Sequence, residues 1–248
     1  MRIAVMGDIH ANLPALRAVV DDVARIGAEA LYCVGDVVGR GPHPNEVVEE
    51  LRRLEIPVVQ GNWDEAIGMD REQTGATWSS AEAEAEGNES MRWTAEALTE
   101  EHRAWLRQLP TSLRVTVEGR SVLFFHGSPL RANEYLWADR PSRVFARIAS
   151  DEADDLFCFG HTHEAWHRVV GQAHLVACGS VGCGTDGDAR ARYAVIYIGE
   201  PDITVGFRSV DYDHLSVVHD MAALGRSIDL LREPPATHPH VPVHPEPA

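Results

Sequence analysis

Positive charge is scarce in this chain: 22 Lys and Arg stand against 38 Asp and Glu, for a formal charge of -16. That balance leaves no basic stripe to track a phosphate backbone, so general nucleic-acid binding is not expected. It would also repel an anionic substrate unless a local cation reversed the field at the site. Cysteine is sparse too. Cys33, Cys158, Cys178 and Cys183 show no CxxC spacing, and reduced, structural thiols are the expected reading. Long apolar runs are missing as well. The opening stretch reaches a carboxylate at Asp8, too early for a signal peptide or a membrane span, so a cytoplasmic protein without membrane association is expected. There is no internal repeat.

What is present is ordinary for a folded domain. Hydrophobic residues make up 44% and charged residues 24% of 248 positions, enough for one sizeable core. A single domain over 1–232 is expected. Residues 233–248 are crowded with proline and histidine and read as a disordered tail, with His238, His240 and His244 at most loose metal binders.

The first half alternates strand and helix. Ile3 to Met6 reads as a buried strand ending at Gly7 and Asp8. Asn12 can cap a following helix with Pro14 in its first turn, and Leu16, Val19, Val20, Val23 and Ile26 form one apolar face before Gly27. The pattern repeats with a strand over 30–36 and a helix from about Pro44, and 56–62 reads as a third strand. A helical insertion is expected over about 75–110, with Trp93, Leu98, Trp105, Leu106 and Leu109 at near-helical spacing and serving mainly as core. A hairpin over 113–117 and 121–125 follows, then short strands over 155–159, 167–170, 174–178, 193–198 and 203–207, and a last helix over 216–231. A strand-rich second half suits two facing sheets better than one doubly wound sheet.

The polar residues stand at informative places. Asp8 and His10, Asp36, Asn62, His126, and His161 with His163 each follow an apolar strand-like run. Carboxyl ends of parallel strands open on a common crevice, so these distant residues can converge. Two carboxylates, an amide and four histidines form a mixed oxygen and nitrogen set suited to first-row divalent metals. Each motif alone is weak; their joint appearance in order is the signal.

The strings Gly7-Asp8-Ile9-His10, Gly35-Asp36-Val37-Val38-Gly39-Arg40-Gly41, Gly61-Asn62, His126-Gly127 and Gly160-His161-Thr162-His163 resemble the signature motifs of the calcineurin-like metallophosphoesterase superfamily, over roughly residues 1–200. The fuller strings around Ala11-Asn12-Leu13, Pro42-His43-Pro44-Asn45 and Ser128-Pro129 are similar to its small bacterial phosphodiesterase branch. The resemblance implies an α/β fold, a two-sheet β-sandwich flanked by helices in four α/β/β/α layers. It implies two divalent ions: one on Asp8, His10 and His163, the second on Asn62, His126 and His161, with Asp36 bridging. Manganese, iron, zinc, cobalt and nickel all fit the ligand types. Such a pair can share a hydroxide that attacks phosphorus. Asp36, Asn62, Arg40 and Asp64 are the expected catalytic residues, and Asn12, Arg40 and Trp63 the substrate contacts, with Arg40 placed to meet phosphate oxygens.

One departure matters. Many members carry a proton-donating histidine after the Asn ligand, where this chain has Trp63, which cannot donate that proton. Water or His43 is then left to supply it, and Trp63 could instead stack on a nucleobase. The expected activity is hydrolysis of small phosphodiesters or nucleotides, with a phosphomonoesterase or protein phosphatase and a non-catalytic metal-binding scaffold as the other readings. A homo-oligomer is left open.

Overall fold

The computed structural model describes residues 1–184 and 187–231, so the expected tail and its histidines lie outside the described residues. In chain order the elements are β1 (Arg2–Met6), α1 (Leu13–Arg25), β2 (Ala30–Cys33), α2 (Pro44–Arg53), α3 (Asn62–Gly68), α4 (Ala81–Ala97), α5 (Glu100–Gln108), β3 (Ser112–Val117), β4 (Arg120–Phe125), α6 (Ser142–Glu152), β5 (Leu156–Phe159), β6 (Ala165–Val170), β7 (Ala173–Cys178), β8 (Ala191–Ile198), β9 (Ile203–Val210), α7 (His214–Ala223) and a final 3-10 turn, Ile228–Leu231.

The strands form two sheets, ordered β2-β1-β8-β9 and β3-β4-β5-β7-β6. Strands buried on both faces must be apolar at every position, with successive side chains pointing to opposite layers. β1 obeys this: Ile3 and Val5 face the second sheet, while Ala4 and Met6 face the helices. In β4, Val122 and Phe124 point inward, and Leu123 and Phe125 point outward toward Phe145 of α6. β5 and β7 repeat that division, with Leu156, Cys158, Val176 and Cys178 inside and Phe157, Phe159, Leu175 and Ala177 outside. Helix, sheet, sheet and helix therefore stack as four layers with three hydrophobic seams between them. A large side chain in such a seam contributes roughly 1.5–3 kcal/mol by burial.

The helices follow their local signals. The Asn12 side-chain Oδ1 accepts from Ala15 N at 3.2 Å, Pro14 sits in the first turn of α1, and Gly27 leaves the helix at φ +66°. Ser80 and Thr99 cap α4 and α5 in the same way. Leu106 of α5 is fully buried, and Trp105 packs against the same core. Trp93 instead lies 4.3 Å below the Arg226 guanidinium.

Three expectations change. The segment 56–62 is not a strand: it touches β2 through a single bridge between Cys33 and Val58. Pro57 has no N–H to extend that ladder, Gln60 N donates to Pro110 O instead, and Asn62 already opens α3. The last helix covers only His214–Ala223, because Gly225 at φ +66° breaks it. Helix α6 was not expected at all. It buries only Phe145 fully, too weak an apolar stripe to read in the sequence.

Candidate metal centre

Parallel pairing of β1 with β2, and of β4 with β5 and β7, brings five strand ends to one edge of the sandwich. Asp8 and His10 follow β1, Asp36 follows β2, His126 follows β4, His161 and His163 follow β5, and Asn62 heads α3. Backbone bonds lash these loops together: Asp8 N donates to Gly35 O at 2.9 Å, His10 N to Asp36 O at 2.9 Å, and Gly160 N to His126 O at 3.0 Å.

The fit is bought with strain. Asp8, His10, Ala11, Asp36, Arg40, His161 and His163 all have φ between +47° and +66°, a region that costs a non-glycine residue about 1–3 kcal/mol. Such conformations persist only where surrounding structure over-determines them, and they concentrate at functional sites. Close approach makes the same demand on glycine. A Cβ at Gly61 would lie 2.2 Å from both N and Oδ1 of Asp36, and one at Gly160 would lie 2.6 Å from Oδ2 of Asp8.

All seven expected ligands are at most 3% exposed. Nε2 of His10 lies 3.2 Å from Nε2 of His163 and 3.8 Å from Oδ2 of Asp36. Nε2 of His126 lies 3.0 Å from Oδ1 of Asn62 and 3.4 Å from Oδ2 of Asp36. Nε2 of His163 lies 3.4 Å from Oδ1 of Asp8. Asp36, His126 and His161 form one group of potential ligand atoms within 4.8 Å of one another, and Asp8, His10 and Asp36 form another.

A second ring of bonds aims these groups. His126 Nδ1 donates to Val34 O at 2.7 Å, which turns Nε2 toward the cluster. Asn62 donates its amide to Thr74 O at 3.0 Å, which turns its carbonyl inward. Asp36 accepts from Trp63 N at 2.9 Å, and Asp8 from His161 N at 3.1 and 3.2 Å. Outer contacts of this kind fix tautomers and orient ligating groups.

The donors fit divalent ions by elimination. Nε2 of His161 and Nδ1 of His163 are buried without a hydrogen-bond partner, an arrangement that costs free energy unless something accepts the lone pairs. His10 and His161 are held well below the usual histidine range, first by burial and then by nearby positive groups, Arg40 beside His10 and His126 beside His161. Both are therefore neutral, as a ligand must be. Burial also favours a neutral His126, but the Asp36 and Asp8 carboxylates outweigh it and push the ring up to about 9. Without a cation, a proton on His126 thus supplies part of the positive charge that the two buried carboxylates demand, and a bound ion would displace that proton.

The other expected site residues do different work. Asp64 is fully buried, and burial with Asp36 beside it pushes its carboxyl up to about 7. Its Oδ1 accepts from Val37 N and Val38 N at 2.9 and 3.3 Å, and its Oδ2 from Gly61 N at 2.9 Å. It clamps the Asp36 loop to the head of α3, and its oxygens are spent on backbone. Asn12 is equally occupied: besides capping α1, it donates to Gly182 O and to the Tyr212 hydroxyl, both at 3.2 Å. Trp63 is 1% exposed, with its ring edge-on to His10 at 5.7 Å, so no face is open for a nucleobase. Arg40 lies over Trp63 and Trp78, 5.6 and 5.4 Å from the ring centres, and donates to Leu230 O at 3.1 Å. His43 pairs with Asp220 of α7 at 3.0 Å.

Two residues at the site were not singled out beforehand. Tyr135 stacks on His161 at 4.0 Å between ring centres and accepts from Thr77 N at 3.2 Å. Cys183 groups with His10 and His163, its sulfur within 4.8 Å of a ring nitrogen of each. Burial pushes its thiol up to about 12, so without a cation it is protonated. No helix among the described residues is long and apolar enough to cross a membrane.

Comparison with known proteins places this geometry. Residues 1–200 match the model of the calcineurin-like phosphoesterase superfamily domain. An uncharacterized protein of Methanocaldococcus jannaschii is 31% identical over 228 residues, covering 85% of this chain and 88% of the relative. The crystal structure of a metallophosphoesterase from Sphaerobacter thermophilus is 29% identical, with a TM-score of 0.71 and coverage of 93% of this chain and 97% of that one. The phosphodiesterase YfcE of Escherichia coli K12 is 32% identical over 77 residues only, 27% of this chain and 42% of that protein. With a match over most of its length and the two-sheet architecture in hand, this chain belongs to the calcineurin-like phosphoesterase superfamily, a family of metal-dependent phosphoesterases.

Proposed function

We propose that the protein is a phosphodiesterase that hydrolyses small phosphodiesters or nucleotides with two divalent ions. Asp8, His10 and His163 hold one ion, Asn62, His126 and His161 hold the other, and Asp36 is shared. The observation that carries this reading is the convergence of seven buried ligand side chains, two of them with ring nitrogens that meet no partner. When bound, such ions supply Lewis-acid charge to phosphoryl oxygens and a water acidic enough to attack near neutral pH.

The chain's own part is positioning and charge. Phosphoryl transfer asks for little covalent help from a protein, so prearranged electrostatics carry most of the effect. Trp63 N–H holds Asp36 in place, Thr74 O holds the Asn62 amide, and Asp64 fixes the two loops relative to each other. Arg40 adds a fixed positive charge beside the cluster: it lowers the proton affinity of His10, and the same charge attracts a phosphate. The strained loops are already set, so little reorganisation is needed when substrate arrives.

The preference for diesters rests on position 63. Trp63 fills the place of a proton donor and is packed against His10, while His43 is engaged by Asp220. Without a dedicated acid, esters with acidic leaving groups are favoured over monoesters of simple alcohols. The partial similarity to a phosphodiesterase supports the same choice. A test is turnover of bis(4-nitrophenyl) phosphate against 4-nitrophenyl phosphate after loading with manganese, zinc, cobalt, nickel or iron. Faster diester hydrolysis is expected; faster monoester hydrolysis would make the protein a phosphomonoesterase, and turnover of neither would favour a metal-holding scaffold.

A further inference from the structure

The loop that follows β7 carries a side chain the proposed ligand set does not use. Gly182 N donates to Asp8 O at 2.9 Å, and Val181 N to Gly7 O at 3.0 Å, so this loop is fastened directly to the strand end that bears Asp8 and His10. Cys183 comes next and is itself fixed by a bond from its N to the Ser180 hydroxyl at 2.9 Å. Its sulfur lies within 4.8 Å of a ring nitrogen in both His10 and His163.

The two histidines present ring nitrogens to one spot beside that sulfur. Their Nε2 atoms face each other at 3.2 Å. One ring can donate to the other there, which pairs them through a single proton. An ion placed there instead would accept both Nε2 lone pairs, and it would sit beside the sulfur. Charge argues the same way. Two divalent ions and the buried Arg40 outweigh the Asp8 and Asp36 carboxylates around them, and a thiolate offsets part of that excess.

We propose that Cys183 is a further metal ligand, joining His10 and His163 at one of the two ion positions and making that position a softer, sulfur-containing site. The inference rests on the proposed metal centre and adds to it. On binding, the S–H bond is exchanged for a sulfur–metal bond and the proton leaves to solvent, as expected for a coordinating thiol. Sulfur ligation distinguishes the two positions chemically: the Cys183 position favours zinc, cobalt or iron, while the sulfur-free position on Asn62, His126 and His161 is the better place for manganese. Cys183 also belongs to an apolar cluster with Val217, Met221, Leu230 and Leu231, so the test must separate ligation from packing.

The test is absorption of the cobalt(II)-loaded protein, compared for the parent, Cys183→Ser and Cys183→Ala. The parent is expected to show a near-ultraviolet thiolate-to-cobalt band together with visible bands from histidine and carboxylate ligation. Both variants are expected to lose the near-ultraviolet band, keep the visible bands and lose preference for zinc over manganese in competition. Identical spectra in all three, with cobalt bound, would overturn the Cys183 assignment and leave the metal centre standing. Failure of the parent to bind cobalt would overturn both. Since Cys33, Cys158 and Cys178 remain in every variant, a band that survives removal of Cys183 also counts against it.

Discussion

Two pairs of histidines in this protein are almost equally close, and only one of them has the makings of a site. His10 and His163 meet at 3.2 Å at the strand ends; His167 and His174 meet at 3.0 Å across β6 and β7, stacked with 17° between planes. The second pair is a diagonal neighbour set by sheet register, with His174 opposite Val169 and His167 opposite Val176. It has solvent beside it and no strained backbone, and although Asp155 and Asp202 act on His174, no metal-ligand group includes the pair among the described residues. The first pair is buried between two carboxylates, on residues with positive φ, in loops bonded to each other. Proximity of imidazoles is cheap in a sheet; what marks the first pair is that the fold sustains strain and burial to hold it.

The largest effect should come from removing the shared carboxylate. Asp36→Asn is expected to lower kcat/KM for a diester by more than about a hundredfold, because losing even an outer partner of a ligand costs about 10–100-fold. The same variant should bind fewer ions per chain. His167→Ala, made beside it, should change neither activity nor metal content, and a loss there would dissolve the contrast between the pairs.

Next in size are changes to the supports. Gly61→Ala drives a Cβ into Asp36 and should destabilise by roughly 1–3 kcal/mol or more, read by chemical denaturation, with loss of metal affinity. Asp64→Asn turns one of two accepting oxygens into a donor facing backbone N–H groups. A stability loss of roughly 1–3 kcal/mol is expected, with metal affinity reduced by about 10–100-fold. If Asp64→Asn lowered turnover while stability and metal binding stayed intact, it would be a catalytic group and not a clamp.

The smallest effect belongs to the surface pair and is a matter of pH. Burial, followed by His174 for His167 and by Arg120 for His174, lowers both rings below the usual histidine value. The folded state therefore binds fewer protons than the unfolded one as pH falls through about 6.5, so stability rises with pH across that window and is lost below it. Replacing both by Gln should flatten this slope by no more than about 0.5 kcal/mol, the scale of surface changes, measured by denaturation at pH 5 and pH 7.5.

Much of this was legible in the sequence, and the reasons are local. Asp8, Asp36, His126 and His161 each stand just past an apolar run that had to be a buried strand, and parallel strands share an end. Asn62 was legible as a site residue although its segment was misread as strand, because Gly61-Asn62 is a motif while the apolar run before it meets β2 at one bridge only. What stayed hidden depends on direction rather than identity. Nothing in the neighbourhood of Asp64 shows that its carboxylate turns toward backbone, or that Trp63 lies edge-on to His10; the Asn12 cap was legible, but its bonds to Gly182 and Tyr212 were not. Cys183 looked like one more buried thiol; only the bonds from Val181 and Gly182 to the Asp8 strand end bring its sulfur to the histidines.

The central claim is that these strand ends hold a pair of ions. Metal content per chain, measured by elemental analysis after loading with manganese or zinc and removal of excess, tests it most directly. The account predicts two ions in the parent and fewer in Asp36→Asn; a parent that retains one ion or none at saturation would contradict it.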